Sequence, residues 1–301
     1  MMEHVPVLLK EILAFLQEHP SLRSVLDCTL GLGGYSEAIL ESFESTEVYA
    51  VDQDSQALSF AKERLLPFGA RFHPEKGNFA SLPPAVTCNA PFDAMLFDLG
   101  VSNLQLVDED RGFSFQSDGP LDMRMDREFR YSAADLVNSY SEREIADIFW
   151  KYGEERFSRQ LARGIVRYRE ESGKIERTST LVDIVRKTLP APVQRKMGGH
   201  PARRIFQALR IAVNDEISIL ETGLHNIPDV AAPGALLVVV SYHSLEDRIV
   251  KNLFKKWREE GKGSIVTKRP LVPSDEEIEA NHKSRSAKMR VFSFKPKRME
   301  V

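Results

Sequence analysis

The chain has 301 residues, of which 42% are hydrophobic and 28% are charged, and its formal net charge is −3. This composition is typical of an ordinary soluble globular protein with one large domain or two modest ones. It excludes a membrane span, since no apolar run reaches the roughly 18 residues that a helix needs to cross a bilayer. Two cysteines, Cys28 and Cys88, are too few for a metal cluster. The N-terminus has no basic region before a long apolar stretch, so we expect no signal peptide and a cytoplasmic protein.

The first 100 residues alternate short apolar runs with helical patterns. Strands are predicted in "SVLDCTL", "EVYAVD", "RFHPEKGNF" and "FDAMLFDLG", and helices in "SEAILESF" and "SQALSFAKERL". Strands that alternate with helices are typical of βαβ units, so this part of the chain predicts a parallel sheet with helices on both faces.

After residue 100 the pattern becomes helical. A polar, turn-rich stretch, "LVDEDRGFSFQSDGPLDMRMD", leads into residues 132–189, where only helices are predicted. The segment "APVQRKMGGHP" is predicted as a loop, and "PARRIFQALRIAVNDEISILETGL" as one long helix.

Strand patterns return near the C-terminal end. "GALLVVVSYHS" predicts a strand, "LEDRIVKNLFKKW" a helix, and "SIVTK" and "MRVFSF" two shorter strands on either side of the charged loop "PSDEEIEANHKSRSAK". The whole chain therefore predicts an α/β fold, a doubly wound, mostly parallel Rossmann-like sheet interrupted by an inserted all-helical domain. We expect residues 1–110 and 200–301 to form the sheet domain and residues 111–199 to form the insertion.

The stretch "DCTLGLGGYSEAIL" places a glycine turn between a strand and a helix. Gly31, Gly33 and Gly34 occupy the position at which a nucleotide meets backbone N–H groups and a helix N-terminus. The spacing is not that of the dinucleotide G-x-G-x-x-G, because Ser36 stands where the third glycine would be. A phosphate-binding lysine is also absent from the turn, which argues against an NTPase.

Acidic residues follow three of the predicted strands. Asp27 would repel a pyrophosphate but suits a cationic amino-acid group, either directly or through water. Asp52 is placed to bind both hydroxyls of a ribose, and Asp98 lies beside the crevice where open α/β sheets bind ligands. Together these acids favour S-adenosylmethionine over NAD. The alternative is that each acid only caps the helix that follows it.

Several longer motifs resemble one family. They are "HVPVLLKE", "DCTLGLGGYS", "AVDQD", "FDLGVS", "RGFSFQSDGPLDMRMD", "HPARRIFQALRIAVNDE", "SYHSLEDRIVK" and "SRSAKMRVF". Over almost the full chain, the sequence resembles the MraW family, 16S rRNA methyltransferases that act on N4 of a cytosine in the decoding centre. The resemblance implies a seven-stranded class I methyltransferase sheet, an inserted substrate-recognition domain, S-adenosylmethionine as cofactor and direct methyl transfer without a metal.

The resemblance also implies a set of cofactor-binding residues. They are Gly33, Gly34 and Tyr35 at the glycine turn, Asp52 at the ribose, Phe79 against the adenine, and Asp98 with Gln105 completing the site. The chain departs from the family pattern at Tyr35, where the family usually has His, and at Asn103-Leu104, where it usually has Ser-Pro.

Catalysis at a cytosine amine requires a group that accepts hydrogen bonds or a proton from N4, which is a poor nucleophile. Asp98 is expected near the transfer site. Tyr242 and His243, in "SYHS", are further candidates, the first to stack on a flipped base and the second to accept a proton. The alternative is structural, since Ser244 and Asp247 have the spacing of an S-x-x-D helix cap.

The chain is most basic in two segments. Residues 155–210 contain fourteen Lys/Arg and five Asp/Glu, and residues 283–301 contain seven Lys/Arg and one Glu. We expect both to contact RNA phosphates, although charge runs are often only solvated faces. The RNA-binding candidates are Arg203, Arg210 and Asn214, which form a polar helical stripe with Gln207, together with Lys283, Arg285, Lys288 and Arg290. Phe113 and Phe115, in a segment that could gate the cleft, are candidates for base stacking or for core packing.

Three other functions remain open at this point. A methyltransferase of the same fold could act on another nucleic acid, and a non-catalytic ribosome assembly factor could keep the fold. An NAD enzyme is disfavoured by Ser36 and Asp27. We expect a monomer or a homodimer whose partner is 16S rRNA within the small ribosomal subunit.

Overall fold

The computed structural model describes residues 6–296, apart from the side chain of Asn103. It divides into two compact units. The sheet unit comprises the residues up to Gly100 and from Ile217 onward, and the helical unit comprises Val101–Glu216. The helical unit is therefore larger than the expected 111–199. The reason is that Phe206 and Leu209, which were expected in the sheet domain, belong to the hydrophobic core of the helical unit.

Among residues 6–296, seven strands form one sheet. They are β1 (Ser24–Asp27), β2 (Glu47–Asp52), β3 (Phe72–Lys76), β4 (Phe92–Asp98), β5 (Ala231–Ser241), β6 (Gly263–Ile265) and β7 (Lys288–Phe294). Their order is β3-β2-β1-β4-β5-β7-β6, with β1 to β5 parallel and β7 antiparallel to both of its neighbours. The predicted seven-stranded, mostly parallel sheet is confirmed, including "MRVFSF" as its antiparallel strand.

The helices are α1 (Leu9–Gln17), α2 (Gly34–Ser42), α3 (Ser55–Arg64), α4 (Pro84–Thr87), α5 (Asn103–Val107), α6 (Ala133–Ser139), α7 (Glu142–Gly153), α8 (Ser158–Ser172), α9 (Thr178–Thr188), α10 (Ala191–Lys196), α11 (Arg203–Asn214), α12 (Glu216–Val230), α13 (Ser244–Glu259) and α14 (Asp275–Ala280). Short 3₁₀ helices cover Leu66–Arg71, Glu109–Arg111 and His282–Ser286. Within the described part of the chain, no helix is long and apolar enough to cross a membrane.

Apolar side chains cover both faces of the sheet. On one face, residues of β1, β2 and β4 pack with α1, α2 and α3. On the other face, α12 and α13 cover the sheet, and Phe254, Trp257 and Phe292 form a contiguous aromatic group. Burial on both faces explains why the central strands have nearly continuous apolar sequences. It also leaves the carboxyl ends of the parallel strands as the edge at which polar side chains gather.

The long helix predicted from residue 201 is wrong, because it is two helices. Asp215 has a left-handed backbone (φ 47°), and its N–H caps α11 by donating to the Ile211 carbonyl. Aspartate tolerates this conformation better than most residues, since its short side chain bonds locally. The apolar periodicity continues through the break, which marks the boundary between the two units.

Two segments that were predicted as loops contain short helices. The first, α10, lies in "APVQRKMGGHP" and begins with a proline in its first turn, where the missing N–H is not needed. The second, α14, begins after Ser274, whose Oγ accepts a bond from the Glu277 N–H at 3.2 Å. Acidic residues in the first turn of α14 are favoured by the helix dipole.

Candidate active site

The glycine turn joins the carboxyl end of β1 to the first turn of α2. Gly33 precedes α2 with a left-handed backbone (φ 79°), and a Cβ there would lie 2.8 Å from the Leu65 side chain. Glycine is required on both counts. The first-turn N–H groups of a helix have no partners within it, and the helix dipole favours an anion beside them. The turn can therefore hold a carboxylate.

Tyr35 turns its side chain away from this turn and into the core. The ring is 5% exposed, and its hydroxyl donates to the Val7 carbonyl at 2.7 Å. The segment that contains Val7 also lies against Gly34, because a Cβ on Gly34 would lie 2.8 Å from Pro6 Cγ. The hydroxyl is buried and already bonded, so the cofactor contact predicted for Tyr35 is left to its backbone N–H and stays a prediction.

Asp27 is completely buried at the end of β1. Its Oδ2 accepts from the Ser36 hydroxyl at 2.7 Å, and its Oδ1 accepts from the Thr29 N–H at 3.1 Å. Burial raises the pKa of Asp27 to about 6, although both hydrogen bonds oppose the rise. A direct contact with a cationic ligand does not fit a closed carboxyl. Ser36, at the position of the absent third glycine, instead fastens α2 to β1.

Asp52 holds the glycine turn from the end of β2. Its Oδ2 accepts from the Gly31 N–H at 2.7 Å, and its Oδ1 accepts from the Asp54 N–H at 2.8 Å. Burial raises the pKa of Asp52 to about 6. The helix cap of α3 is Asp54, not Asp52, because Asp54 accepts from the first-turn N–H groups. Each Asp52 oxygen keeps a further lone pair, so a ribose diol suits this carboxylate.

Phe79 lies at the same edge, after β3. Its ring meets Phe97 edge-on with 5.1 Å between centroids, and a Cβ on Gly223 would lie 2.4 Å from it. The preceding residue, Asn78, donates from Nδ2 to Gln53 Oε1 at 2.9 Å, which ties this loop to the end of β2. The ring is partly buried, and its contact with the adenine stays a prediction.

Asp98 and Tyr242 form one hydrogen-bonded pair. The Tyr242 hydroxyl donates to Asp98 Oδ1 at 2.7 Å, and the Asp98 N–H donates to Thr29 Oγ1 at 2.6 Å. Burial raises the pKa of Asp98 to about 7, the bond from Tyr242 opposes this, and the charges of Asp27 and Glu246 add to it. The sequence placed these two residues in separate clusters. The fold joins them in a single hydrogen-bonded pair, in which burial raises the pKa of both groups.

His243 begins α13. Its Nδ1 accepts from the Glu246 N–H at 3.4 Å, and Glu246 Oε2 accepts from the His243 N–H at 3.2 Å. The helix cap predicted from Ser244 and Asp247 is therefore wrong by one residue, since His243 and Glu246 form the cap. The His243 side chain is 9% exposed, and its Nε2 lies 3.0 Å from Glu246 Oε1. These contacts favour a structural role for His243 over proton transfer.

Gln105 lies in the helical unit and caps α5. Its Oε1 accepts from the Ser102 N–H at 3.1 Å, and its own N–H donates to Ser102 Oγ at 3.3 Å. The side chain is buried, so the substitution at Asn103-Leu104 has not displaced it from the start of the helix. Its contact with the cofactor stays a prediction.

The polar stripe on α11 is not a solvated RNA-binding face. Asn214 is completely buried, where its Oδ1 accepts from the Met125 N–H at 2.7 Å and its Nδ2 donates to the Met123 carbonyl at 2.8 Å. Arg210 makes two bonds of 2.8 Å to the Glu216 carboxylate. Asn214 and Arg210 were predicted to contact RNA, but their side chains bond within the protein instead. Arg203 remains the exposed member of the stripe.

The C-terminal basic segment divides in the same way. Arg290 is buried and donates to Asp247 Oδ1 at 2.6 Å, and Lys288 Nζ lies 3.6 Å from Asp247 Oδ2. Arg290 is thereby corrected to a core ion pair, since its charge is already matched. Lys283 and Arg285 are exposed on the 3₁₀ helix before β7 and stay candidates for RNA contact.

A buried arginine joins the start of the segment "RGFSFQSDGPLDMRMD" to its end, and the gating of a cleft by this segment stays a prediction. Arg111 is buried and donates to the Arg124 and Met125 carbonyls at 3.0 Å each. Phe113 lies in the core of the helical unit, and Phe115 stacks on His200 with 4.8 Å between centroids. Core packing is thus observed for Phe113, whereas Phe115 is partly exposed and its role in base stacking stays a prediction. Arg111 was missed by sequence reasoning, because nothing local distinguishes a buried arginine.

Comparisons with known proteins identify the family of the chain. The MraW methylase family matches residues 1–295. Ribosomal RNA small subunit methyltransferase H of Carboxydothermus hydrogenoformans is 46% identical, over 95% of this chain and 96% of the relative. Among solved structures, an rRNA methylase from Streptococcus thermophilus is 11% identical with a TM-score of 0.45, over 98% of this chain and 99% of that one. SMU.1697c from Streptococcus mutans, in complex with SAH, is 11% identical with a TM-score of 0.47, over 97% and 99%. The family match over nearly the whole sequence establishes that the chain belongs to the MraW methylase family.

Proposed function

We propose that this methylase transfers a methyl group to the N4 amine of one cytosine in the decoding centre of 16S rRNA. The relative that is 46% identical is named as a small-subunit rRNA methyltransferase, and the two chains match over nearly their full lengths. The single observation that carries the proposal in this chain is the Asp98–Tyr242 pair, which places a carboxyl with a pKa of about 7 at the carboxyl edge of the sheet.

The cofactor is S-adenosylmethionine, and the residues at this edge fit it. Asp27, Asp52 and Asp98 gather negative charge, and the charge of Asp27 contributes to the raised pKa of the other two. A ligand with a sulfonium and an ammonium group relieves that repulsion, whereas a pyrophosphate would add to it. When bound, S-adenosylmethionine supplies an electrophilic methyl group.

This chain offers partners for three parts of the cofactor. The backbone N–H groups at the start of α2 suit the carboxylate, Asp52 suits the ribose hydroxyls, and Phe79 suits the adenine. Asp27 contributes charge from behind the turn without a contact of its own. The partners therefore span the glycine turn and the ends of the first three strands.

Asp98 is the group that we assign to the proton on the cytosine amine. An N4–H bond to the carboxylate localises the nitrogen lone pair, and the carboxylate then takes the proton as the nitrogen gains its methyl group. A pKa of about 7 suits a general base at neutral pH. The Tyr242 hydroxyl orients Asp98 and keeps a larger fraction of it ionised.

The experiment measures the position of the transferred methyl group. Purified protein is incubated with labelled S-adenosylmethionine and either free 16S rRNA or small subunits from a strain that lacks the modification, followed by digestion to nucleosides. We expect label in N4-methylcytidine at one site. Label in another nucleoside, or none in either RNA while the cofactor still binds, would refute the proposed substrate and favour the alternative functions.

A further inference from the structure

One stretch of the helical unit carries positive charge without any acid. Residues 184–214 contain seven Lys/Arg and no Asp or Glu. The stretch runs from the second half of α9 through α10 and the following loop to the end of α11. Two of the seven, Arg204 and Arg210, approach glutamates that lie outside the stretch. The other five are exposed: Arg186, Lys187, Arg195, Lys196 and Arg203.

Local contacts link the segments that carry these five residues. The Gln194 side-chain amide donates to the Arg186 and Leu189 carbonyls at 2.7 Å each, which folds α10 back against the end of α9. Arg186 Nη2 lies 2.9 Å from His200 Nε2, and the Arg203 N–H donates to the His200 carbonyl at 3.0 Å. We call this set of five residues the basic surface.

The basic surface lacks the neutralising partners that other arginines of the unit have. Arg163 lies 3.5 Å from Glu142, and Arg177 lies 2.7 Å from Asp118. Within residues 6–296, no carboxylate pairs with any of the five. The polar neighbour of Arg186 is His200, whose pKa is lowered by burial and by the Arg186 charge. The arginine charge is therefore not compensated.

One member of the basic surface, Arg186, contacts a ring that is itself held in place. His200, which contacts Arg186, stacks on Phe115 with an interplanar angle of 13°. Phe115 in turn meets Phe206 edge-on with 5.8 Å between centroids. Cations on a fixed support lose less side-chain entropy on binding than cations on a mobile loop.

We infer that the basic surface binds backbone phosphates of the RNA substrate, outside the site that holds the reacting base. The inference rests on the proposed function for the identity of the RNA. Phosphate contacts need only cations and position the protein without reading sequence. A protein partner fits less well, because interface cores are rich in aromatic side chains. The exposed large apolar residues of this unit are Val107, Tyr131 and Trp150, none of them in the stretch 184–214.

The test compares two triple variants of the full chain that change the net charge equally. One is Arg186→Gln/Arg195→Gln/Arg203→Gln, within the basic surface. The other is Arg143→Gln/Arg163→Gln/Arg177→Gln, at exposed arginines that have carboxylate partners. The affinity for 16S rRNA is measured from 50 to 300 mM KCl, with S-adenosylmethionine binding and thermal unfolding as controls. The double variant Arg195→Gln/Lys196→Gln, on α10 alone, avoids the Arg186–His200 contact if the triple variant unfolds.

We expect the basic-surface variant to lower the slope of log K against log salt concentration by about 2, since each single-strand phosphate contact contributes about 0.7. The double variant should lower it by about 1.4. The paired-arginine variant should leave the slope unchanged, and all variants should bind S-adenosylmethionine normally. Equal slopes in both triple variants would overturn the inference. If the wild type still methylated rRNA, the proposed function would survive that result, whereas a wild type that transfers no methyl group to RNA refutes the proposed function itself.

Discussion

The hydrogen bond from Tyr242 to Asp98 predicts a defined change in the pH dependence of methyl transfer. Tyr242→Phe removes the hydroxyl that donates to Asp98 Oδ1 at 2.7 Å and keeps the ring. The bond stabilises the ionised carboxyl, so its loss raises the pKa of Asp98 above its present value of about 7. The carboxylate is the form that accepts a proton. The acid limb of the pH–rate profile should therefore move to higher pH.

The size of the shift follows from the energy of such a bond. A hydrogen bond to a charged group contributes about 1.5–3 kcal/mol, and one pKa unit corresponds to about 1.4 kcal/mol. Removing the bond therefore raises the pKa of Asp98 by about 1 to 2 units. At pH 7 the ionised fraction falls from about one half to between about 1% and 9%, so kcat/KM should fall about 5- to 50-fold. At pH 9 the variant should recover to within about twofold of the wild type.

The assay is the initial rate of methyl transfer to RNA between pH 5.5 and 9.5 at saturating S-adenosylmethionine. The matched control is Tyr49→Phe, which also removes a tyrosine hydroxyl bonded to a carboxylate. The Tyr49 hydroxyl donates to Glu47 Oε2 at 2.9 Å, and Glu47 is the first residue of β2, away from the carboxyl end of the strand. Its acid limb should not move. The reasoning is refuted if Tyr242→Phe leaves the acid limb in place, or if both variants shift it equally.

Three further predictions concern the cofactor, the N-terminal segment and α11. S-adenosylmethionine should bind more tightly as the pH rises from 5 to 7.5. Burial raises the pKa of Asp52 to about 6 and that of Asp98 to about 7, and a cationic ligand favours the ionised form of both carboxyls. Calorimetry that finds the same affinity at every pH would contradict this prediction. Leu8 has a left-handed backbone (φ 55°), and its N–H donates to Glu277 Oε1 at 2.7 Å. Glu277→Ala removes this acceptor. Glu277→Ala should lower the free energy of unfolding, measured in urea, by about 1–3 kcal/mol. Glu277→Gln should lower it less, and Glu276→Ala, at an exposed residue, should leave it almost unchanged. Asn214→Ala leaves the buried Met125 N–H and Met123 carbonyl without their hydrogen-bond partner. The free energy of unfolding should fall by about 2–5 kcal/mol. Unchanged thermal stability together with weakened RNA binding would instead support Asn214 as an RNA contact.

The strands of the sheet could be predicted because their signals are local. The parallel strands β1, β2 and β4 are short apolar runs that end in an aspartate, and β7 lies in the second of two short strand patterns near the C-terminal end. The acids at the ends of β1, β2 and β4 were predicted for the same reason, since the carboxyl ends of parallel strands share one edge. The break at Asp215 could not be predicted, because a single left-handed residue leaves the apolar periodicity intact.

The remaining site assignments depended on partners that are distant in sequence. Asp98 and Tyr242 are 144 residues apart, and Asn214 is 89 residues from Met125. A polar residue at a helical position reads the same from sequence whether it faces solvent or a remote backbone carbonyl. Asn214 and Arg210 were assigned to RNA for that reason, and Arg290 because it lies in a basic segment. Only the fold shows that their hydrogen-bonding groups are already used.

The most direct measurement for the central claim is single-turnover methyl transfer by Asp98→Asn to 16S rRNA at saturating S-adenosylmethionine, with occupancy checked by calorimetry. Asparagine keeps the shape and an acceptor for the Tyr242 hydroxyl but cannot take up a proton. We expect a rate about 10²–10⁴-fold below that of the wild type across pH 6–9, with the cofactor bound. A cofactor-loaded variant that transfers the methyl group at the wild-type rate would contradict the assignment of Asp98 as the proton acceptor.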